Sequence, residues 1–291
     1  MTPRQRGIDL AASRQSFASP MSFDSHRSRG RTAARIALVF TLVSVAAAGC
    51  GERGKKEHRV KSDPLHGAEL AAEPAPVPYR VTDVRNAGTI VGRVLATGPT
   101  SGDTTVTVTT DPGVCGPSRS VPLVERRGDR LENVVVWLDG VHAGKPLPAE
   151  RRYEIEHDRC AVTPRVQAAI VGGMLNVRSG DPVVHRARFV RDGATIDLVQ
   201  ETDRGQVVPT EKVLARPGLI EIRCDTHPWT RAWIVAFDHP YFAVTNRDGT
   251  FTLDSVPPGT YTLEAWQARL GTRKMTVTVK RGGEVKVEMN Y

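Results

Sequence analysis

Residues 241–266 read YFAVTNRDGTFTLDSVPPGTYTLEAW, and this stretch decides the fold. The turn signals Asp-Gly at 248–249 and Pro-Pro-Gly at 257–259 separate short runs of β-branched and aromatic residues. Within the runs, apolar and polar residues alternate with a period of two, which places one apolar face inward. The inward positions are Phe251, Leu253, Tyr261, Leu263 and Ala265.

The same texture extends upstream to Gly88. Apolar and β-branched runs that are separated by Gly, Pro, Asp and Asn indicate strands joined by turns in a sandwich or barrel. No stretch after residue 50 combines helical periodicity with start and stop signals, so the sequence predicts an all-β protein. The runs are TIVGRVLATG (89–98), TTVTVTT (104–110), ENVVVWLDG (132–140), QAAIVGGMLNVRSGD (167–181), LIEIRCD (219–225) and TRAWIVAFDH (230–239).

The N-terminus predicts export. Four arginines between residues 27 and 35 precede an apolar run, 36–43, which leads into small residues at 44–49. This order is typical of a signal peptide, and the run is far shorter than the roughly 20 apolar residues that a spanning helix needs. Residues 1–49 are therefore predicted to be a signal peptide, with Met21 as an alternative start.

A lipid anchor is predicted at Cys50. The sequence Ala-Ala-Gly-Cys at 47–50 is similar to the lipobox of bacterial lipoproteins, although Ala47 replaces the usual Leu. An ordinary cleavage site without lipidation is the alternative. Lipidation would hold the chain to a bilayer without a spanning segment, in the periplasm or at the outer membrane. The charged, Ala/Pro-rich segment that follows is interpreted as a flexible linker, 50–87.

Composition and motifs exclude several functions. The chain has 40 Lys+Arg and 32 Asp+Glu, but seven arginines and two aspartates precede Cys50. The remainder carries a net charge of only +3, which argues against a nucleic-acid partner. No G-x-S-x-G elbow, Gly-rich phosphate loop or H-E-x-x-H motif occurs, so the chain is not expected to be an enzyme.

Two segments resemble known families. DGTFTLDSVPPGTYTLEAWQARLG (248–271) resembles the hairpin of carboxypeptidase regulatory-like (transthyretin-like) sandwiches. LNVRSGDPVVH (175–185) and IRCDTHPWTRAWIVAFDHPYFAVT (222–245) resemble the cupredoxin domains that precede such modules in periplasmic bacterial proteins. The resemblances imply a cupredoxin-like Greek-key β-sandwich followed by a small carboxypeptidase-regulatory-like β-sandwich. The expected domains are 88–238 and 239–291.

The cupredoxin resemblance implies a copper site at His185, Cys224 and His227. One thiolate and two imidazoles are the donor set of an electron-transfer copper centre. Thr230 stands where a weak axial Met is expected, and Arg186 stands where an Asn commonly braces the loop. Zinc is the lesser alternative, because structural zinc sites usually need a second pair of ligands close in sequence.

A disulfide between Cys115 and Cys160 is predicted, because an exported chain meets oxidising conditions and both residues lie at strand ends. Pairing of Cys224 with either of them stays open and would abolish the metal site. Three further histidines, each near Gly, Asp or Pro, are interpreted as surface or turn residues, and three of the tryptophans as core residues rather than a docking surface. These are His142, His157 and His239, and Trp229, Trp233 and Trp266.

Together these patterns predict a lipid-anchored envelope protein that binds copper for electron transfer and meets a redox partner protein. The alternative is a metal-free lipoprotein whose sandwiches serve adhesion, carbohydrate binding or a scaffold.

Overall fold

The computed structural model describes residues 77–98 and 102–291. The predicted signal peptide, the lipid site Cys50 and most of the linker lie outside these residues. Within the described part of the chain, no helix is long and apolar enough to cross a membrane.

The described residues form short strands with two brief helical turns, which confirms the predicted all-β sandwich class. The helical segments are α1 (Pro112–Cys115) and a 3₁₀ turn (Lys212–Leu214). The strands are β1 Arg80–Val81, β2 Gly88–Leu95, β3 Thr104–Thr107, β4 Ser118–Val121, β5 Arg126–Arg127, β6 Arg130–Leu131, β7 Val135–Asp139, β8 Ala143–Gly144, β9 Arg152–Asp158, β10 Ala161–Thr163, β11 Val166–Ile170, β12 Met174–Ser179, β13 His185–Arg191, β14 Ala194–Glu201, β15 Val207–Thr210, β16 Gly218–Cys224, β17 Arg231–Phe237, β18 Phe242–Val244, β19 Thr250–Val256, β20 Gly259–Gln267, β21 Gly271–Val279 and β22 Glu284–Asn290.

Strands β9 to β17 form one sandwich, called here the inserted sandwich. Its sheets have the orders β10-β9-β12-β15 and β11-β17-β16-β13-β14. Two neighbouring pairs, β9 with β12 and β11 with β17, are parallel, because the chain crosses between the sheets before it returns. The inward faces of both sheets meet in one apolar core, whose large members include Ile155, Leu175, Phe189, Ile220, Ile222 and Ile234.

The other large sandwich, called here the host sandwich, is built from both ends of the described chain. Its sheets are β18-β7-β20-β21 and β19-β2-β6-β5, and β22 pairs with β2. The alternation predicted for the hairpin is observed, since Phe251 and Leu253 are buried on one face of β19 and Leu263 and Ala265 on β20. These residues share a core with Ile90 of β2.

The sheets divide the chain differently from the boundary expected at residues 238 and 239. Strand β2 pairs with β19 and β22, and β7 pairs with β18 and β20, although β2 and β7 lie more than a hundred residues before these partners. The last fifty residues supply only part of a sandwich, and the rest of its two layers comes from the segment before the inserted sandwich. Local strand patterns carry no signal for such distant pairing.

An apolar contact joins the two sandwiches. Phe237 at the end of β17 stacks on Phe242 of β18 at 4.6 Å between ring centroids and lies 5.7 Å from the ring of Trp137 on β7. Trp233 and Trp266 pack in the same cluster, half-buried. Their interpretation as packing residues agrees with this position.

The end of the predicted linker is part of the fold. Strand β1 pairs in parallel with β8, and the hydroxyl of Tyr79 donates to the carbonyl of Lys145 at 2.6 Å. Tyr79 also packs against the host core. A lone tyrosine in a Pro-rich segment carried no sequence signal for this docking.

Candidate metal centre

The three residues predicted as ligands converge at one end of the inserted sandwich. His185 is the first residue of β13, and Cys224 is the last residue of the adjacent strand β16. In the register of these strands Cys224 faces Ala187, so His185, two residues earlier, projects from the same face. His227 lies in the turn that leads from β16 to β17.

The donor atoms of these residues are close and buried. Sγ of Cys224 lies 3.8 Å from Nδ1 of His185 and 3.7 Å from Nδ1 of His227, and the two Nδ1 atoms are 3.1 Å apart. Both imidazoles are fully buried, and the exposed fraction of Cys224 is 3%. Cys224 is the free cysteine of the described residues. Two ring nitrogens and one sulfur therefore face a single point.

The surroundings favour a thiolate at Cys224. Burial alone would raise the pKa of the thiol, but the neighbouring imidazoles of His157, His185 and His227 outweigh it and hold this pKa far below its ordinary value. For His227 burial has the opposite direction and would lower the pKa. The hydrogen bonds and charges of Cys224 and Asp111 outweigh burial and raise this pKa. The hydroxyl of Thr226 adds a contact of 3.0 Å to Sγ.

A carboxylate holds the far nitrogen of each predicted imidazole ligand. Nε2 of His185 lies 3.1 Å from a carboxylate oxygen of Asp181, and Nε2 of His227 lies 3.1 Å from one of Asp111. A carboxylate in this position fixes the tautomer that carries hydrogen on Nε2 and leaves Nδ1 free to bind a metal. Two carboxylates therefore brace the ligands, where the sequence offered Arg186 in place of the usual Asn.

The predicted disulfide between Cys115 and Cys160 is present, and it supports the centre. The backbone N–H of Cys115 donates to the carbonyl of Asp111, and the backbone N–H of Cys160 donates to the carboxylate of Asp181. The bridge therefore joins the two segments that carry the bracing carboxylates. The alternative pairing of Cys224 with either cysteine does not occur.

Thr230, at the position expected for a methionine ligand, makes a structural hydrogen bond and does not face the cysteine. The hydroxyl of Thr230 donates to the carbonyl of Cys160 at 2.9 Å, and the indole N–H of Trp229 donates to the same oxygen at 3.1 Å. Trp229 also packs against the disulfide. Neither residue turns a donor atom toward Cys224 in this arrangement.

His157 was interpreted as a surface or turn residue, and that interpretation is wrong. It lies on β9, is fully buried, and stacks on His185 with 4.3 Å between ring centroids. A ring nitrogen of His157 lies within 4.8 Å of Sγ of Cys224 and of a ring nitrogen of His185. Its Nδ1 is 2.8 Å from a carboxylate oxygen of Glu201.

The sequence did contain a signal for the burial of His157. In Glu154-Ile155-Glu156-His157 the alternation of β9 puts His157 on the inward face with Ile155, and the adjacent Asp158 concealed this pattern. Burial disfavours a charged imidazolium here, but Cys224 and Glu201 outweigh burial and raise the pKa of His157 to about 9. His157 is therefore an electrostatic partner of the cysteine.

The other two histidines take no part in the centre. His142 is exposed, whereas His239 is buried in the turn between the sandwiches. The backbone N–H of Tyr241 donates to Nδ1 of His239 at 3.2 Å, which matches the turn role predicted for this histidine.

Comparisons with known proteins give partial matches. Residues 217–287 match the model of a family described as polysaccharide lyase family 4, domain II, which covers less than half of the chain. No curated protein matches the chain.

Solved structures similar to this chain include a copper-containing nitrite reductase, a purple cupredoxin and an amicyanin mutant. A copper-containing nitrite reductase from Thermus scotoductus SA-01 is 19% identical over 35% of this chain and 24% of that chain, with a TM-score of 0.26. A purple cupredoxin from Nitrosopumilus maritimus is 19% identical over 29% and 99%, with a TM-score of 0.25. A reduced amicyanin mutant is 15% identical over 30% and 82%, with a TM-score of 0.27. This chain therefore spans about a quarter of the nitrite reductase.

The donor set itself fits a thiophilic transition metal. Thiolate sulfur and neutral imidazole nitrogen suit copper and zinc, whereas oxygen-rich sites suit magnesium and calcium. The buried Nε2 of His157, which makes no hydrogen bond, adds an unused donor beside the sulfur.

Proposed function

We propose that the inserted sandwich binds one copper ion for electron transfer, with Cys224, His185 and His227 as ligands. The observation that carries the proposal is the convergence of a free, buried thiol and two Nδ1 atoms within 3.1 to 3.8 Å of one another. Copper in such a site exchanges one electron between Cu(I) and Cu(II).

The protein's part is to hold the donors in one arrangement. Cys224 and His185 lie on paired strands of one sheet, and the turn that carries His227 is tied down because Thr226 donates to the carbonyl of Val184 at 3.0 Å. Asp181 and Asp111 fix the imidazole tautomers. A rigid donor set lowers the rearrangement that accompanies a change of charge, which is what rapid electron exchange requires.

The proposal places the protein in the cell envelope, anchored by a lipid on Cys50, with a redox partner protein and no catalysed reaction of its own. The host sandwich, with its regulatory-like hairpin, then serves as a structural support. Mass spectrometry of the mature N-terminus tests the anchor, since an acylated Cys50 supports it and an unmodified or earlier terminus contradicts it.

Absorption spectroscopy tests the metal site. The full chain with one equivalent of Cu(II) is expected to show an intense thiolate-to-copper charge-transfer band. Cys224→Ser should abolish this band, and the matched control His142→Gln, at an exposed histidine, should retain it. A colourless wild-type protein that takes up no copper would contradict the proposal.

A second candidate is carbohydrate binding without a metal. It is favoured by the match of residues 217–287 to a polysaccharide lyase domain and by a groove between the sandwiches that is lined by Trp137, Phe237 and Trp266. Polysaccharide binding that is lost in Trp266→Ala, in a protein that takes up no copper, would favour this candidate.

A further inference from the structure

We propose that His157 is a fourth metal ligand, through its Nε2 atom, and that it replaces the methionine that this loop lacks. The inference rests on the proposed copper site and extends it from a three-donor to a four-donor centre. The residues that carry it lie on strands β9 and β14, well away in sequence from the loop of Cys224 and His227.

The position of His157 satisfies the first requirement for a ligand. The parallel pairing of β9 with β12 sets His157 opposite Ser179, and the inward face of β9 directs the imidazole toward β13 in the facing sheet. There it stacks on His185 at an interplanar angle of 9°. A ring nitrogen lies within 4.8 Å of the sulfur of Cys224. A metal–sulfur and a metal–nitrogen bond together span at most about 4.4 Å, so a small shift of the side chains brings both donors onto one ion.

The hydrogen bonds of His157 identify the free nitrogen. Nδ1 is 2.8 Å from a carboxylate oxygen of Glu201, and both side chains are fully buried. Because a carboxylate accepts a hydrogen bond from Nδ1–H, the neutral ring carries its free lone pair on Nε2. Nε2 is buried and makes no hydrogen bond. A buried nitrogen without a partner destabilises a fold unless something binds it.

The sheet positions Glu201 so that its carboxylate can orient the imidazole of His157. It is the last residue of β14, directly opposite His185 in the β13–β14 register. The same strand pair therefore positions one ligand and the carboxylate that orients another. The arrangement at His157 repeats those at His185 and His227, where a carboxylate also holds the nitrogen that faces away from Cys224.

The structure also accounts for the missing methionine. Thr230 stands at its place and donates its hydroxyl to the carbonyl of Cys160. An imidazole is a stronger and harder donor than a thioether, so His157 should favour Cu(II) over Cu(I). The centre is therefore expected to hold copper more tightly and at a lower potential than its variant without this imidazole.

Pulsed electron paramagnetic resonance of the full chain loaded with Cu(II) tests the proposal, because it counts the imidazoles coupled to the ion. Three are expected in the wild-type protein and two in His157→Gln. Glutamine keeps a hydrogen-bond donor for Glu201 and removes the ring. Two imidazoles in the wild-type protein, together with an unchanged spectrum in the variant, would overturn the proposal and leave the Cys224 charge-transfer band intact.

Two further measurements keep the test independent of folding defects. His157→Gln should retain the charge-transfer band at a shifted wavelength and lose affinity for Cu(II) at least 10-fold by competition titration, while His142→Gln changes neither. Glu201→Gln, a positioning variant, should lose about 10- to 100-fold. If the wild-type chain takes up no copper, the proposed function fails with this inference, which separates that result from failure of the fourth ligand alone.

Discussion

The carboxylate of Asp181 lies 3.1 Å from Nε2 of His185 and also accepts the backbone N–H groups of Arg159 and Cys160, each at 2.7 Å. Arg159 and Cys160 both have a positive φ, at 47° and 56°, a backbone conformation that residues other than glycine rarely adopt. One carboxylate therefore stabilises a strained turn, anchors one half of the disulfide and orients a ligand imidazole.

Replacement of Asp181 should affect both stability and metal binding. Asp181→Ala leaves the buried N–H of Cys160 without an acceptor, which costs about 1–3 kcal/mol of unfolding free energy. The loss of the carboxylate at His185 should lower copper affinity about 10- to 100-fold. Urea unfolding and competition titration measure the two effects. Asp158→Ala, at a partly exposed neighbour, is the control and should change neither; equal effects in both variants would refute the role assigned to Asp181.

Loss of the disulfide should weaken the fold and the centre together. A bridge over a sequence separation of 45 is worth roughly 2–5 kcal/mol, so Cys115→Ser with Cys160→Ser should lower the unfolding free energy by that amount. Copper affinity should fall too, because the bridge joins the segments of Asp111 and Asp181. A mild reductant should destabilise the wild-type protein and leave the double variant unchanged. Unaltered copper affinity in the double variant would show that the bridge does not support the site.

The two sandwiches should unfold together because of their shared apolar contact. Phe237→Ala removes a ring that is 7% exposed and stacked on Phe242, at an expected cost of about 3–5 kcal/mol. Calorimetry should then show two transitions in place of one. Leu219→Ala, at a residue that is 40% exposed, should cost about 0.5 kcal/mol or less. A single transition at nearly the wild-type temperature in Phe237→Ala would contradict the coupling.

His239 should make stability depend on pH below neutrality. Burial lowers its pKa, whereas the nearby charges of Asp238 and Asp139 oppose this more weakly. Below about pH 6.5 the unfolded chain therefore binds a proton that the folded chain does not, and the free energy of unfolding falls as the pH decreases. The slope from this one group is at most about 1.4 kcal/mol per pH unit. Above that range its contribution is fully present.

The variant His239→Asn tests this pH dependence, because its amide oxygen can replace Nδ1 as the acceptor for Tyr241 and does not titrate. Urea unfolding of the metal-free protein at pH 7.5 and 5.5 should show a smaller loss of stability in the variant than in the wild type. His142→Asn, at an exposed histidine, should follow the wild type. Identical slopes in the wild type and His239→Asn would count against the assignment.

Local sequence patterns predicted much of the fold and part of the site. The two-residue alternation around Phe251 and Leu253 predicted strands whose inward faces are observed, and the resemblance to cupredoxins implied the two donors Cys224 and His227, which lie 3.7 Å apart. The chain's division into sandwiches was not predictable in this way. Strand β2 pairs with strand β22, although most of the described chain separates them in sequence. A short sequence pattern cannot predict which distant strand will be the partner.

The same limit applies to the supporting residues of the centre. Asp111 is 116 residues from His227, and Glu201 is 44 residues from His157, so neither pair forms a sequence motif that could be recognised. Asp181 is only four residues from His185, but its contact depends on the turn at Cys160. His157 was misread because it borders a charged turn, and only the packing of two sheets showed that its ring faces the cysteine.

By itself, the sequence determined the all-β class, because this depends on residue type and on short-range periodicity, and its resemblance to cupredoxins singled out a thiol and two imidazoles as candidate donors. The tertiary structure alone decided the disulfide pair, which distant strands complete each sandwich, which carboxylates orient the imidazoles and that a third imidazole lies beside them. The physical reason is that hydrogen bonds and metal donors act over about 3 Å in space, and in this fold residues that lie so close are often more than forty positions apart in the chain.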